Sequence, residues 1–158
     1  MTRTGRRTIW AAIGACLALL VGAAVVLAAT PAPGTYEGKT GQKKLVRVKV
    51  NSQHRVHKFR INWKAPCDSG DAWPGGTVDI DGSGDKIKQD TDAGTFHDAG
   101  SYVPDKQNGY TGHVTVSFNG TFTKATKAEG KFKVKVRVSK NGETVDHCRK
   151  TVGWKVSG

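Results

Sequence analysis

Hydrophobic side chains at every second position constrain this chain more than any other feature. Val46, Val48 and Val50 alternate with Arg47 and Lys49, and Phe59, Ile61 and Trp63 alternate with Arg60 and Asn62. The same period runs through 114–118, through 132–138 with Lys133, Lys135 and Arg137 between the apolar residues, and through 152–156. Successive side chains of a strand point to opposite faces, so a period of two carried by β-branched and aromatic residues predicts strands with one buried face. After residue 30 no segment sustains a helical period. Asn119-Gly120 and Asn141-Gly142 lie between alternating runs, where such dipeptides favour tight hairpins. Asp81-Gly82-Ser83-Gly84 and Asn108-Gly109 mark further turns. The expected fold is all-β: one antiparallel meander of about eight strands, closed as a small barrel or folded as a sandwich. The stretches 66–74 and 90–108 read as longer loops.

The N-terminus is different material. Arg3, Arg6 and Arg7 precede 21 uncharged residues, Ile9 to Ala29, and then Thr30, Pro31, Ala32 and Pro33. A basic start, an apolar run and small residues before the break are the marks of an export signal. Cutting after Ala28 fits best, with Ala29 next. The competing reading is an uncleaved signal anchor, since about 20 apolar residues can span a bilayer. Arg6-Arg7-Thr8-Ile9-Trp10 has the shape of a twin-arginine signal. The chain thus divides into an export signal peptide or anchor, 1–29, and one extracytoplasmic domain, 30–158. Membrane attachment is expected only through an uncleaved signal.

Beyond the signal remain Cys67 and Cys148. In an exported domain two cysteines most simply form one disulfide. Closing a loop of that length is worth roughly 4–5 kcal/mol. Free thiols or metal ligands are the rival reading, but no C-x-x-C or Cys/His spacing supports it.

At Gly34 to Asn51 (GTYEGKTGQKKLVRVKVN) the sequence resembles a family of small exported bacterial β-proteins, many from actinobacteria. Members open with a Tyr-x-Gly-Lys-Thr segment and a strand of alternating valines. A first cysteine follows a strand end, and a late cysteine precedes an aromatic-bearing last strand. Tyr36, Gly38, Lys39, Thr40, Gln42, Cys67, Cys148 and Trp154 carry the likeness here, and the first strands are more basic than the pattern. The resemblance implies an exported all-β domain with Cys67 paired to Cys148, and no established activity.

Charge supplies the main functional clue. Three of the 25 Lys and Arg lie in the signal, which leaves 22 against 13 acids, a net of +9. Arg47 and Lys49 fall on the outward face of one strand, Arg60 on another, and Lys133, Lys135 and Arg137 on a third. Adjacent strands of this kind would form a cationic plate for an anionic envelope polymer such as phosphate-rich cell-wall chains, or for anionic lipid head groups. Another envelope protein would be met through the loops. The bland reading is solvation, because lysine on outward faces also keeps β-proteins soluble and unpaired at their edges. Nucleic acid is an unlikely partner, since no aromatics interleave with the outward cations to stack bases.

Other candidates are weaker. Asp79, Asp81, Asp85 and Asp90 fall at calcium-loop spacing with Gly84, but Lys86 takes an apolar position and no flanking helices are expected. The five histidines, His54, His57, His97, His113 and His147, form no recognisable ligand or catalytic motif, and neither a cofactor nor an enzymatic reaction is expected. Trp63 and Trp154 are in phase with buried valines. Trp73, read as part of a loop beside Cys67, is either a contact residue or a cover for one end of the fold. Protein-interaction loops and a ligand in the barrel mouth are the alternative functional readings.

Overall fold

The computed structural model describes residues 29–81, 87–90, 94–105 and 109–158, and the apolar N-terminal segment 1–28 lies outside them. The described residues form an all-β domain of nine strands: β1 (Gly34–Thr40), β2 (Leu45–Val50), β3 (Val56–Pro66), β4 (Ala72–Asp81), β5 (Lys88–Asp90), β6 (Thr95–Tyr102), β7 (Tyr110–Lys124), β8 (Lys127–Lys140) and β9 (Glu143–Ser157). Among the described residues there is no helix that could cross a membrane. All nine strands belong to one sheet, in the order β4-β3-β2-β1-β9-β8-β7-β6-β5. The first strand pairs with the last, so a simple meander becomes a roll.

Strand direction explains why nine strands satisfy a pattern read as about eight. Every junction in the sheet is antiparallel. Passing from β4 to β5 crosses an even number of such junctions, so these consecutive strands run in the same direction. β4 pairs with β3 and β5 with β6, and residues 82–86 between them lie outside those described. The seam is closed by a side chain. The Gln89 carboxamide accepts from the Val56 N–H and donates to the Val56 carbonyl, both at 2.7 Å, in the place of a strand neighbour. Gln42 does the same where β2 falls short of β3, bonding the backbone of Lys64 at 2.8 and 3.3 Å.

Inward positions fill one core. Phe59 stacks on Phe118 across the roll, with ring centroids 4.0 Å apart, and Phe96 and Trp154 pack around them. Trp63 and Trp154 are buried as their phase predicts. The Trp154 indole needs bare backbone beneath it. Gly120 and Gly130 are register partners on β7 and β8, and Gly130 is in turn opposite Trp154. A Cβ at Gly130 would lie 2.6 Å from Cζ2 of that indole, and one at Gly120 would lie 2.8 Å from its Cη2.

This seat corrects one turn. Asn119-Gly120 does not reverse the chain: β7 runs straight through it, and the reversal comes at Ala125 and Thr126. The glycine is there to admit the rings of Phe96 and Trp154, not to take positive φ. The actual turn lacks a glycine and is held from outside. The Ala125 carbonyl accepts from the Ala32 N–H at 2.9 Å and the Tyr36 hydroxyl at 2.6 Å, and the Thr126 carbonyl accepts from the Gly158 N–H. Burial pushes the Tyr36 pKa upward, which keeps the phenol protonated as a donor. Asn141-Gly142 is the expected hairpin, with φ of 52° and 88°. The stretch 90–108 is not a long loop, because it contains β6.

Cys67 and Cys148 form a disulfide that joins the end of β3 to β9. It lies where the short β1–β2 hairpin no longer separates these strands. A disulfide is consistent with an extracytoplasmic location. Replacing Gly130 by Ala forces the Trp154 ring or the Asn119 backbone to move, and overpacking of this kind costs about 1–3 kcal/mol. Urea denaturation should show that loss for Gly130→Ala and little change for the outward, unobstructed Gly153→Ala. Equal stability of Gly130→Ala and the parent would contradict the glycine seat.

Candidate functional site

The rolled sheet turns two basic faces outward, and they differ in how charge is balanced. On the first, register aligns Glu37 with Arg47, Arg47 with Arg60, and Arg60 with Asp79. Glu37 holds Arg47 at 2.6 Å, and Asp79 lies 3.6 Å from Lys58 and 3.8 Å from Arg60. Lys49 is directly opposite Lys58. Like charges facing each other across strands destabilise a sheet, and the flanking acids offset that here. Arg47, Lys49 and Arg60 therefore lie together, but in a face of mixed sign.

The second face is built on β8. Its outward residues Lys131, Lys133, Lys135 and Arg137 form a ladder, with Asn119, Ser117, Thr115 and His113 of β7 on one side. Gly153, Thr151, Arg149 and His147 of β9 stand on the other. Among the described residues, none of these four β8 cations has an acidic partner. The nearby pairs belong to others: Lys155 with Glu129 at 2.9 Å, and Arg149 with Asp68 at 2.9 Å. Strand geometry spaces the ladder at about 6.6 Å per step. Unscreened repulsion between neighbouring charges at that distance in water is about 0.6 kcal/mol, which the paired strands tolerate. Long cations beside Ser, Thr and Gly leave open depressions on the surface. One of about 810 Å³ adjoins Lys131, Lys133, Ser117 and Thr151, and another of about 420 Å³ adjoins Lys135 and Arg137.

The two faces do not merge into one plate. On the sheet β1 and β9 lie between β2 and β8, so Arg47, Lys49 and Arg60 are separated from Lys133, Lys135 and Arg137. Lys131 belongs to the ladder too, one step before the alternation becomes apolar at Phe132. Its companions His113, His147, Arg149 and Thr151 are brought in only by strand register, which no local pattern encodes.

Trp73 needs correction. It lies in β4, not in a loop, is 5% exposed, and packs over Gly112 of β7. Its phase along β4 points it into the roll, where it closes one end of the core. The calcium-spaced acids are also differently disposed. Asp79 is taken by Lys58 and Arg60 within a ladder that continues through Asp81, so a loop beginning at Asp79 would start inside a paired strand. Asp90 is in β5 opposite Thr95, and Asp85 lies outside the described residues. Cys67, Cys148 and Asp146 cluster within 4.8 Å, but the sulfurs are bonded to each other. The Ser69 hydroxyl, 2.6 Å away, holds the Asp146 carboxyl below its ordinary value.

Comparison with protein-family models, curated proteins and solved structures gives no match. The chemistry of the site therefore rests on the residues themselves. Trp73→Ala should cost about 3–5 kcal/mol, the range for emptying a buried aromatic site. A denaturation midpoint close to the parent's would return Trp73 to the surface and to a contact role.

Proposed function

We propose that this is an exported, non-catalytic envelope domain that binds a phosphate-rich cell-wall polymer along the outward face of β7, β8 and β9. One observation carries the reading: Lys131, Lys133, Lys135 and Arg137 form a row without acidic partners among the described residues, while Arg47 and Arg60 on the other face are balanced by Glu37 and Asp79. Charge that served only solubility would be balanced as readily on one face as on the other. The ladder has the regular step of a strand, comparable with the interval of successive phosphates in an extended chain. Hydroxyls of Ser117, Thr115 and Thr151 flank it as neutral donors. The core residues occupy the interior of the roll, which favours the outer surface over a barrel-mouth site. Export through the N-terminal signal belongs to the same proposal, and the disulfide is in keeping with it.

The test is binding of the oxidised, exported protein to poly(glycerol phosphate) across a salt series. Displacing counterions at four contacts gives a slope of log affinity against log salt of about −3. Changing Lys133, Lys135 and Arg137 to Ser should reduce that slope to about −0.7. Changing Arg47 and Arg60 to Ser should leave it as it was. Anionic vesicles and single-stranded DNA serve as competing anions. Binding that ignores salt and the triple change, or that prefers either competitor, would overturn the proposal.

A further inference from the structure

The end of the β8 ladder differs in chemistry from the rest. Arg137 is the register partner of His113 on β7 and of His147 on β9, so three strands place a His-Arg-His row across the outward face. The next row is Thr115, Lys135 and Arg149. These side chains line the depression of about 420 Å³, together with Val136 and Cys148. Both histidines are exposed, as are Arg137, Lys135 and Arg149. Among the described residues neither imidazole has a hydrogen-bonded side-chain partner that would fix one tautomer or commit it to a structural role.

The surrounding charges have one dominant sign. From β8 come Lys135 and Arg137, and from β9 comes Arg149. Among the described residues, the acid ion-paired to these cations is Asp68, in the turn after β3, which Arg149 holds at 2.9 Å. On β6 the nearest ladder residues are Ser101 and Tyr102, and Tyr102 carries no charge near neutral pH. Asp146 and Lys140 fall on the opposite phase of their strands, engaged with Ser69 and with the Tyr110 ring. An anion arriving here meets permanent cations and two groups whose charge depends on pH. Histidine is the side chain that changes charge between pH 5 and 8, and its protonated ring offers two N–H donors.

We propose that this row is a proton-gated phosphodiester subsite: His113 and His147 flank a phosphate held by Arg137, and their protonation tightens the grip on the polymer in acidic surroundings. This rests on the polymer-binding reading and adds its regulation. A guanidinium fork matches two phosphate oxygens, and the flanking rings would meet the remaining oxygens or the next diester. At neutral pH the subsite is one step of the ladder.

The experiment measures affinity of the full exported protein for poly(glycerol phosphate) at pH 7.5 and 5.5. The diesters keep their single charge over this range, so the polymer contributes no titration of its own. The parent should bind about tenfold tighter at pH 5.5. Its salt slope should steepen by up to about 1.4 as two further contacts form. In His113→Asn with His147→Asn, the ratio of affinities at pH 5.5 and pH 7.5 should fall to about 1. Thermal melts at both pH values check that the variant is folded. An acid gain that survives in the Asn variant, or a parent with equal affinity at both pH values, would overturn the gating while leaving the ladder intact. Absence of binding at either pH would overturn the polymer reading itself, and the gating with it.

Discussion

Phe59 stacked face to face on Phe118, with Trp154 and Phe96 against them, is the contact on which the remaining features depend. It links β3 to β7, strands far apart in sheet order, and so requires the sheet to roll. Seating the indole in turn requires bare backbone beneath it, which Gly120 and Gly130 supply. Large aromatics bury much apolar area, and their removal is costly because a close-packed interior recovers little of it. A filled interior also leaves the outer surface as the place for the proposed binding. With valines and rings pointing inward along β8, each intervening side chain points out, and four of them are cations.

Two interactions complete a roll that strand pairing alone leaves open. The carboxamides of Gln42 and Gln89 each extend a strand that has ended, satisfying backbone groups of β3 that would otherwise lack partners. The Cys67–Cys148 bond fastens β3 to β9 beyond the β1–β2 hairpin. Neither of these closures uses the side chains of Lys131, Lys133, Lys135 or Arg137. The β2–β3 face, by contrast, uses its acids to balance the cations set opposite one another.

Much of the fold was legible because period-two alternation is local. Val46 to Val50, Phe59 to Trp63 and Phe132 to Val138 each name a strand and its buried side. What local pattern cannot supply is the partner. The Asn119-Gly120 pair has the composition of a turn, yet its glycine is a seat for a ring contributed by a strand more than thirty residues later. The true turn at Ala125 and Thr126 has no turn composition, because Ala32, Tyr36 and Gly158 hold its carbonyls. β6 carries no alternation, since its outward and inward residues differ little in polarity and only Phe96 is fully buried. The basic residues of the ladder were visible for the same reason as the strand. Their separation from Arg47 and Arg60, and the arrival of His113 and His147 beside Arg137, depend on sheet order and register.

The central claim is that the β7–β9 face, whose four β8 cations lack acidic partners among the described residues, and not the mixed-sign β2–β3 face, meets the anion. Backbone amide shifts followed by NMR during titration with poly(glycerol phosphate) test it most directly, because they report location independently of affinity. Perturbations should concentrate on Lys131, Lys133, Lys135 and Arg137 with their neighbours Ser117 and Thr151, and should leave Arg47 and Arg60 unmoved. Perturbations centred on β2 and β3, or at the loop ends of the roll, would contradict it.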